Sequence, residues 1–224
     1  AHEINNPVQG IMNYAELIAG NTGDVETVLE FADEITIEAQ RVATIVRNLL
    51  AFSRQEREQT MEDVDAGKLI EATLSLIHAV LRKDQIEISV DVQPGLPPIR
   101  CRLQQIQQIV MNLVTNARDA LNERYPGYDP NKRIVISAGR SPDPGPDKNQ
   151  SRVRITVADQ GAGIPGEALA RIFDPFFTTK GRDQGTGLGL SVSHGIAKEH
   201  GGNLSVETRR GEGTRFYLDL PAAE

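Results

Sequence analysis

The sequence is poor in cysteine, in clustered positive charge and in long apolar runs, and each shortage closes off a class of protein. One cysteine, Cys101, in 224 residues rules out an internal disulfide framework and a multi-cysteine metal centre. Lys and Arg total 24 against 31 Asp and Glu, a net charge of −7. No basic cluster stands out, so no nucleic-acid partner is expected. No apolar stretch approaches the roughly 20 residues that span a bilayer, and no signal peptide is visible. We expect this piece to be soluble and cytoplasmic, with any membrane attachment confined to segments upstream of it. Also missing is an initiator Met, and no capping residue precedes Ala1-His2-Glu3-Ile4, which falls directly into a helical pattern. The chain therefore reads as part of something longer.

What is present divides into two textures. Residues 1–60 carry only a helical period. Ile4, Val8, Ile11, Ala15 and Ile18 alternate steps of four and three, and after Gly20-Asn21-Thr22-Gly23-Asp24 the pattern resumes at Val28, Ala32, Ile35, Ala39, Val42, Val46 and Leu49. Two such helices joined by a short turn form an antiparallel hairpin, whose apolar stripe two helices alone cannot bury. A homodimeric four-helix bundle through residues 1–60 is the expected completion. The second helix, read as Val25 to Glu58, outreaches the first by roughly 20 Å at about 1.5 Å per residue, which again suggests a missing upstream half.

From Met61 to Glu224 helices alternate with strands. Leu69–Leu81, Arg102–Arg124 and Leu188–His200 read as helices. Strands are expected at Ile86–Val92, around Ile134-Val135-Ile136, at Val153–Val157, and near Leu204-Ser205-Val206 and Phe216-Tyr217-Leu218. The Pro-, Asp- and Gly-rich stretch from Ser141 to Ser151 reads as a surface loop. The fold class is thus α+β: a helical hairpin followed by a two-layer α/β sandwich with a mixed, largely antiparallel sheet.

Four segments carry chemistry. In His2-Glu3-Ile4-Asn5-Asn6-Pro7, an imidazole flanking the seam could accept a phosphoryl group, with the adjacent carboxylate orienting it. Asn112, Asn116 and Asp119 fall at i, i+4 and i+7, so three short oxygen-bearing side chains share one helix face and suit a hard cation or phosphate-bound metal. Asp159-Gln160-Gly161-Ala162-Gly163 follows a strand; its carboxylate could accept from an amino group while the glycines admit a ligand close to backbone. Gly185-Thr186-Gly187-Leu188-Gly189 opens a helix, where free N–H groups favour an anion. It lacks the ending of a Walker A loop. The first three segments also have plainer readings, a polar chain end, a solvated helix face and a tight turn, and the intervening Phe173–Lys180, with three of the six phenylalanines, has that of a core patch.

Taken in order, these segments resemble the boxes of the sensor histidine kinases. His2–Pro7 is similar to the H box, residues 112–120 to the N box, 159–163 to the first glycine box and 185–189 to the second. Phe173-Asp174-Pro175-Phe176-Phe177 resembles the F box, and Gly211-Glu212-Gly213-Thr214 the late glycine turn before the last strand. The resemblance implies a dimerisation and phosphotransfer domain over 1–60 and an ATP-binding domain of the Bergerat type over 61–224. It implies Mg-ATP as the nucleotide, with His2 as phospho-acceptor, Glu3 and Asn6 as its helpers, and a response-regulator receiver domain as partner. By the same resemblance Asp159 binds the adenine amino group, Asn116 ligates Mg²⁺, and Asn112 lies close to the phosphates. Gly161, Gly163, Gly185, Thr186, Gly187, Leu188, Gly189 and Thr214 then line the nucleotide, and Phe176 and Phe177 anchor a lid. Lys180 or Arg182 supplies positive charge, because Asp119 stands where many relatives carry a basic residue. Two alternatives remain open: an ATPase of the same fold acting as a conformational clamp, and a nucleotide-sensing scaffold.

Overall fold

The computed structural model describes residues 2–20, 23–54, 60–143, 151–180 and 185–223, with side chains omitted for 2–6, 40, 41 and 43–54. The chain divides into two compact units: Ala1–Glu58 with Asp174–Leu188, and Gln59–Phe173 with Gly189–Glu224.

The first unit holds two helices, α1 (His2–Gly20) and α2 (Val25–Arg54). Asp24 starts α2 by accepting at Oδ1 from the N–H of Glu26 and of Thr27 (3.2 and 3.4 Å). Pro7 is buried inside α1, where it has no N–H to give the carbonyl one turn back. Tyr14 packs against Phe31 with ring centroids 5.9 Å apart. Ile11, Ile18, Val28 and Ile35 are only half covered. Val8, Met12, Val25 and Leu29 stay 39–70% exposed, leaving an apolar flank on each helix that the hairpin itself does not bury.

The second unit runs β1 (Glu62–Val64), α3 (Ala66–Lys83), β2 (Glu87–Val92), β3 (Ile99–Cys101), α4 (Leu103–Arg124), β4 (Arg133–Arg140), β5 (Arg152–Asp159), α5 (Gly189–Glu199), β6 (Asn203–Arg209) and β7 (Gly213–Pro221). Five strands form one sheet in the order β2-β4-β5-β7-β6; β2 and β4 are parallel and every other pair is antiparallel. The register sorts the side chains. Ala138, Ile155, Leu218 and Leu204 lie in one row, and Ile136, Val157, Phe216 and Val206 in the next. With Leu69, Ile70, Ile109, Leu113 and Val114 from the helices these residues, Val206 being only half-buried, make the core, each fully buried aliphatic side chain contributing about 1.5–3 kcal/mol. The alternate rows are polar. Arg154 bonds Asp219 through both of its forked nitrogens at 2.8 Å, and its guanidinium lies 4.7 Å over the Tyr217 ring. Helices on one face and a polar second face make the expected two-layer sandwich.

The details differ in places. β1 and β3 pair in a separate two-stranded ribbon that no periodicity announces, because three residues are too few to show a period. Helix α3 begins at Ala66 rather than Leu69, since Asp65 caps it by accepting from Lys68 N–H at 2.9 Å. Val90 is 47% exposed because β2 is an edge strand. The imidazole of His200 ties α5 to the start of α4: Nδ1 donates to the Ile196 carbonyl at 2.8 Å and Nε2 accepts from Arg102 N–H at 3.1 Å.

Candidate functional site

In the sheet-bearing unit the predicted residues gather where α4, the end of β5 and the start of α5 meet. Asp159 is the last residue of β5 and is 9% exposed. Its Oδ1 accepts from Gly161 N–H at 2.7 Å. Burial pushes the carboxyl up to about 6, against the lowering effect of hydrogen bonds from the Gly161 and Thr214 backbones. An ionised carboxylate has more acceptor sites than those two bonds use, so a buried amino group is a suitable further donor.

The glycines beside it are fixed by close approach. A Cβ on Gly161 would stand 2.7 Å from the Ala120 backbone. Gly163 has φ +71°, and a Cβ there would lie 2.4 Å from the Arg209 carbonyl oxygen. Ala162 N–H donates to the Ala120 carbonyl at 3.1 Å, and Gly211 N–H to the Ala162 carbonyl at 2.8 Å. Arg124 donates to the Gln160 and Gly161 carbonyls at 2.8 and 3.2 Å. Arg124 and Thr208, whose Oγ1 accepts from Ile164 N–H at 2.9 Å, were missed by motif reading; nothing in the sequence links them to residues 160–164. Thr214 is buried opposite Asp159 in the β5–β7 ladder.

On α4, Asn112, Asn116 and Asp119 are all half-buried. Asn112 Nδ2 donates to Ser193 Oγ at 3.0 Å, and its Oδ1 is 2.3 Å from where a Cβ on Gly189 would stand. The asparagine face therefore abuts the glycine that opens α5. The first turn of that helix carries no acidic residue, so the positive end of the helix dipole is not offset by a carboxylate there. Asp119 lies 3.6 Å from the Arg118 guanidinium, and Arg118 also pairs with Asp84 at the end of α3. Among the described residues no group of three His, Cys, Asp or Glu could hold a metal. The hard oxygen donors on α4 nonetheless fit Mg²⁺, which takes few protein ligands when phosphate and water supply the rest.

Residues 174–177 of the F-box segment and 185–188 of the second glycine box belong to the other unit. There Phe176 takes φ +70° and its N–H donates to the Gly187 carbonyl at 2.8 Å. Gly187 has φ +65°, and a Cβ on it would sit 2.3 Å from the Phe176 backbone. Thr178 Oγ1 accepts from Lys180 N–H at 3.1 Å, and Leu188 N–H reaches Thr186 Oγ1 at 3.4 Å. Gly185 packs against Thr178 and Lys180, and Phe177 is half-buried. Arg182 lies outside the described residues, as do the side chains of His2, Glu3 and Asn6, although their backbone is part of α1.

Residues 101–224 match the family described as histidine kinase-, DNA gyrase B-, and HSP90-like ATPase, and residues 1–58 match the His Kinase A (phospho-acceptor) domain. The chain is 34% identical to the sensor kinase CckA of Brucella abortus over 99% of its own length and 23% of CckA. It spans less than half the length of the curated relatives compared. Among solved structures it resembles the histidine kinase ThkA in complex with the response regulator protein TrrA, with TM-score 0.69 and 28% identity over all of this chain and 60% of that one. It also resembles full-length ShkA in complex with AMPPNP, with TM-score 0.67 and 26% identity over all of this chain and 45% of that one.

Proposed function

Because the chain belongs to the sensor histidine kinases, with the phospho-acceptor and ATPase regions of that family in one polypeptide, we propose that it binds Mg-ATP and phosphorylates its own His2. Residues 1–60 serve as a homodimeric phosphotransfer domain and residues 61–224 as the ATP-binding domain. The observation that supports this best is the contact of Asn112 with Gly189, which joins the asparagine face of α4 to the anion-favouring start of α5 beside the buried Asp159.

In this reading Asp159 accepts from the adenine amino group, and Gly161 and Gly163 let the base lie against backbone. The N–H groups that open α5, with Gly185, Thr186, Gly187, Leu188 and Gly189, cradle the triphosphate. Lys180 or Arg182 adds positive charge, while Phe176 and Phe177 anchor the segment that carries it. Mg²⁺, when bound, supplies charge neutralisation on the phosphate oxygens, and Asn116 is the residue that would hold it. Neutral His2 attacks the γ-phosphorus in line through its outer ring nitrogen; the bond to the β-bridging oxygen breaks and ADP leaves. Glu3 orients the ring by accepting from the inner N–H and takes up its proton as the outer nitrogen bonds to phosphorus. The phosphoryl group then passes to an aspartate of a receiver domain. Glu3 and Asn6 are placed in sequence to assist the reverse, phosphatase reaction. The work is done in the cytoplasm, where ATP and regulator are found.

The chain is incubated with Mg-ATP labelled at the γ-phosphate. Protein-bound label should survive alkali, be lost in acid and be absent from His2→Gln. Phosphorylated regulator added to unlabelled protein should lose its phosphate, and Asn6→Ala should slow that loss at least tenfold. A chain that binds nucleotide and stays unlabelled supports the clamp or scaffold instead.

A further inference from the structure

Helix α5 carries two neighbouring side chains with different partners, one on α4 and one at Phe173. Ser193 is 1% exposed, and its Oγ accepts the hydrogen bond from Asn112 Nδ2 at 3.0 Å. His194, the next residue, stacks on Phe173, with ring centroids 4.9 Å apart and planes 28° from parallel. Phe173 is the last residue of the sheet-bearing unit before the chain enters Asp174–Leu188. The first residue of the same helix, Gly189, is held against Asn112 Oδ1.

We infer that Ser193 and His194 are positioning residues: they fasten the N-box face and the root of the F-box segment to one helix, the helix whose N-terminus receives the phosphates. This rests on the nucleotide-site reading above and adds two residues that none of the recognised boxes contains. The physical argument is about rotamers. An asparagine on a half-buried helix face has several staggered positions and two amide orientations. The Ser193 hydroxyl accepts from the Nδ2 side, which leaves Oδ1 turned to Gly189, where nothing larger than hydrogen fits. The amide is thereby held between Ser193 and Gly189, with the α4 face and the opening of α5 in register. A fully buried hydroxyl without a partner would carry its own desolvation cost, so the pairing is stable rather than incidental. On the other side, ring stacking holds the Phe173 side chain against α5. Neutral imidazole suits that role, and burial together with the neighbouring Lys198 lowers the pKa of His194.

The test uses the whole chain, with Mg-AMPPNP binding measured by calorimetry and melting temperature measured without nucleotide. Ser193→Ala should weaken binding about fivefold, the value of one hydrogen bond, with little change in melting. Threonine and valine at 193 share the same extra bulk, so Ser193→Thr should bind at least threefold more tightly than Ser193→Val if the hydroxyl is what acts. In an Asn112→Ala background, Ser193→Ala should have no further effect, because Ser193 acts only through Asn112. His194→Ala should weaken binding about threefold, and His194→Phe should restore it. Equal binding by the Thr and Val variants, additive loss in the double variant, or no rescue by Phe would overturn the assignment. If the unsubstituted chain failed to bind Mg-AMPPNP, the nucleotide-site reading itself would fall and this inference with it.

Discussion

Asp159 is held in a state that folding alone disfavours. Its carboxyl titrates near 6 in the folded chain because burial opposes its charge, against an ordinary value of 3.8. The folded form therefore binds a proton between about pH 4 and 6 that the unfolded chain has already released. Stability is highest below that window, falls as pH rises through it, and carries the full penalty above pH 6. Two pKa units correspond to about 3 kcal/mol, an upper bound once water penetration is allowed for. Asp159→Asn keeps an acceptor for Gly161 and removes the charge. In urea melts without nucleotide it should be more stable than the parent by about 1–3 kcal/mol at pH 7.5, with the difference vanishing near pH 4. The same variant should lose adenine-nucleotide binding. A variant destabilised at pH 7.5 would show that the carboxylate is a structural anchor and not a strained ligand group. The motif made this residue conspicuous in the sequence; its protonation energetics depend on burial, which no single segment encodes.

Among the elements, two glycines separate sequence from structure. Gly187 sits in a Gly-rich run that any reader would mark, and its φ of +65° and 2.3 Å approach to Phe176 explain why it must lack a side chain. Gly195 looks no different in composition, yet it lies inside α5 with nothing within 4 Å of a Cβ. The two should respond oppositely. Gly195→Ala should stabilise the chain by about 1 kcal/mol through helix propensity, read as a rise in melting temperature. Gly187→Ala should break the Phe176–Gly187 closure and weaken nucleotide binding at least tenfold. If Gly195→Ala were destabilising, or Gly187→Ala neutral for binding, the local geometry described here would be wrong. The i, i+4, i+7 spacing likewise put Asn112, Asn116 and Asp119 on one face of α4, but it was silent on Ser193. Their contact joins residues 81 apart in the chain.

For the whole molecule, the hairpin leaves Val8 and Met12 on one helix and Val25 and Leu29 on the other uncovered, at 39–70% exposure. Four such side chains on two helices are what a second copy would bury. Leu29→Glu should shift the chain from dimer to monomer in light scattering, while Mg-AMPPNP binding to the sheet-bearing unit stays within about twofold. A dimer that survives the substitution would place the interface elsewhere. Local periodicity was enough to separate the two textures and to order the helices and main-sheet strands, and residue type marked the segments proposed to carry the chemistry. Those properties follow from local periodicity and from the few residue types that tolerate a given backbone or carry a given charge. The strand order β2-β4-β5-β7-β6, the β1–β3 ribbon, the Arg118–Asp84 tie, the bracing of residues 160–161 by Arg124 and the bond from Asn112 to Ser193 emerge only in the folded chain. Each of these joins residues distant in the chain, and such pairings are fixed by which arrangement buries the apolar rows while satisfying every buried polar group, a condition on the whole chain rather than on any stretch of it.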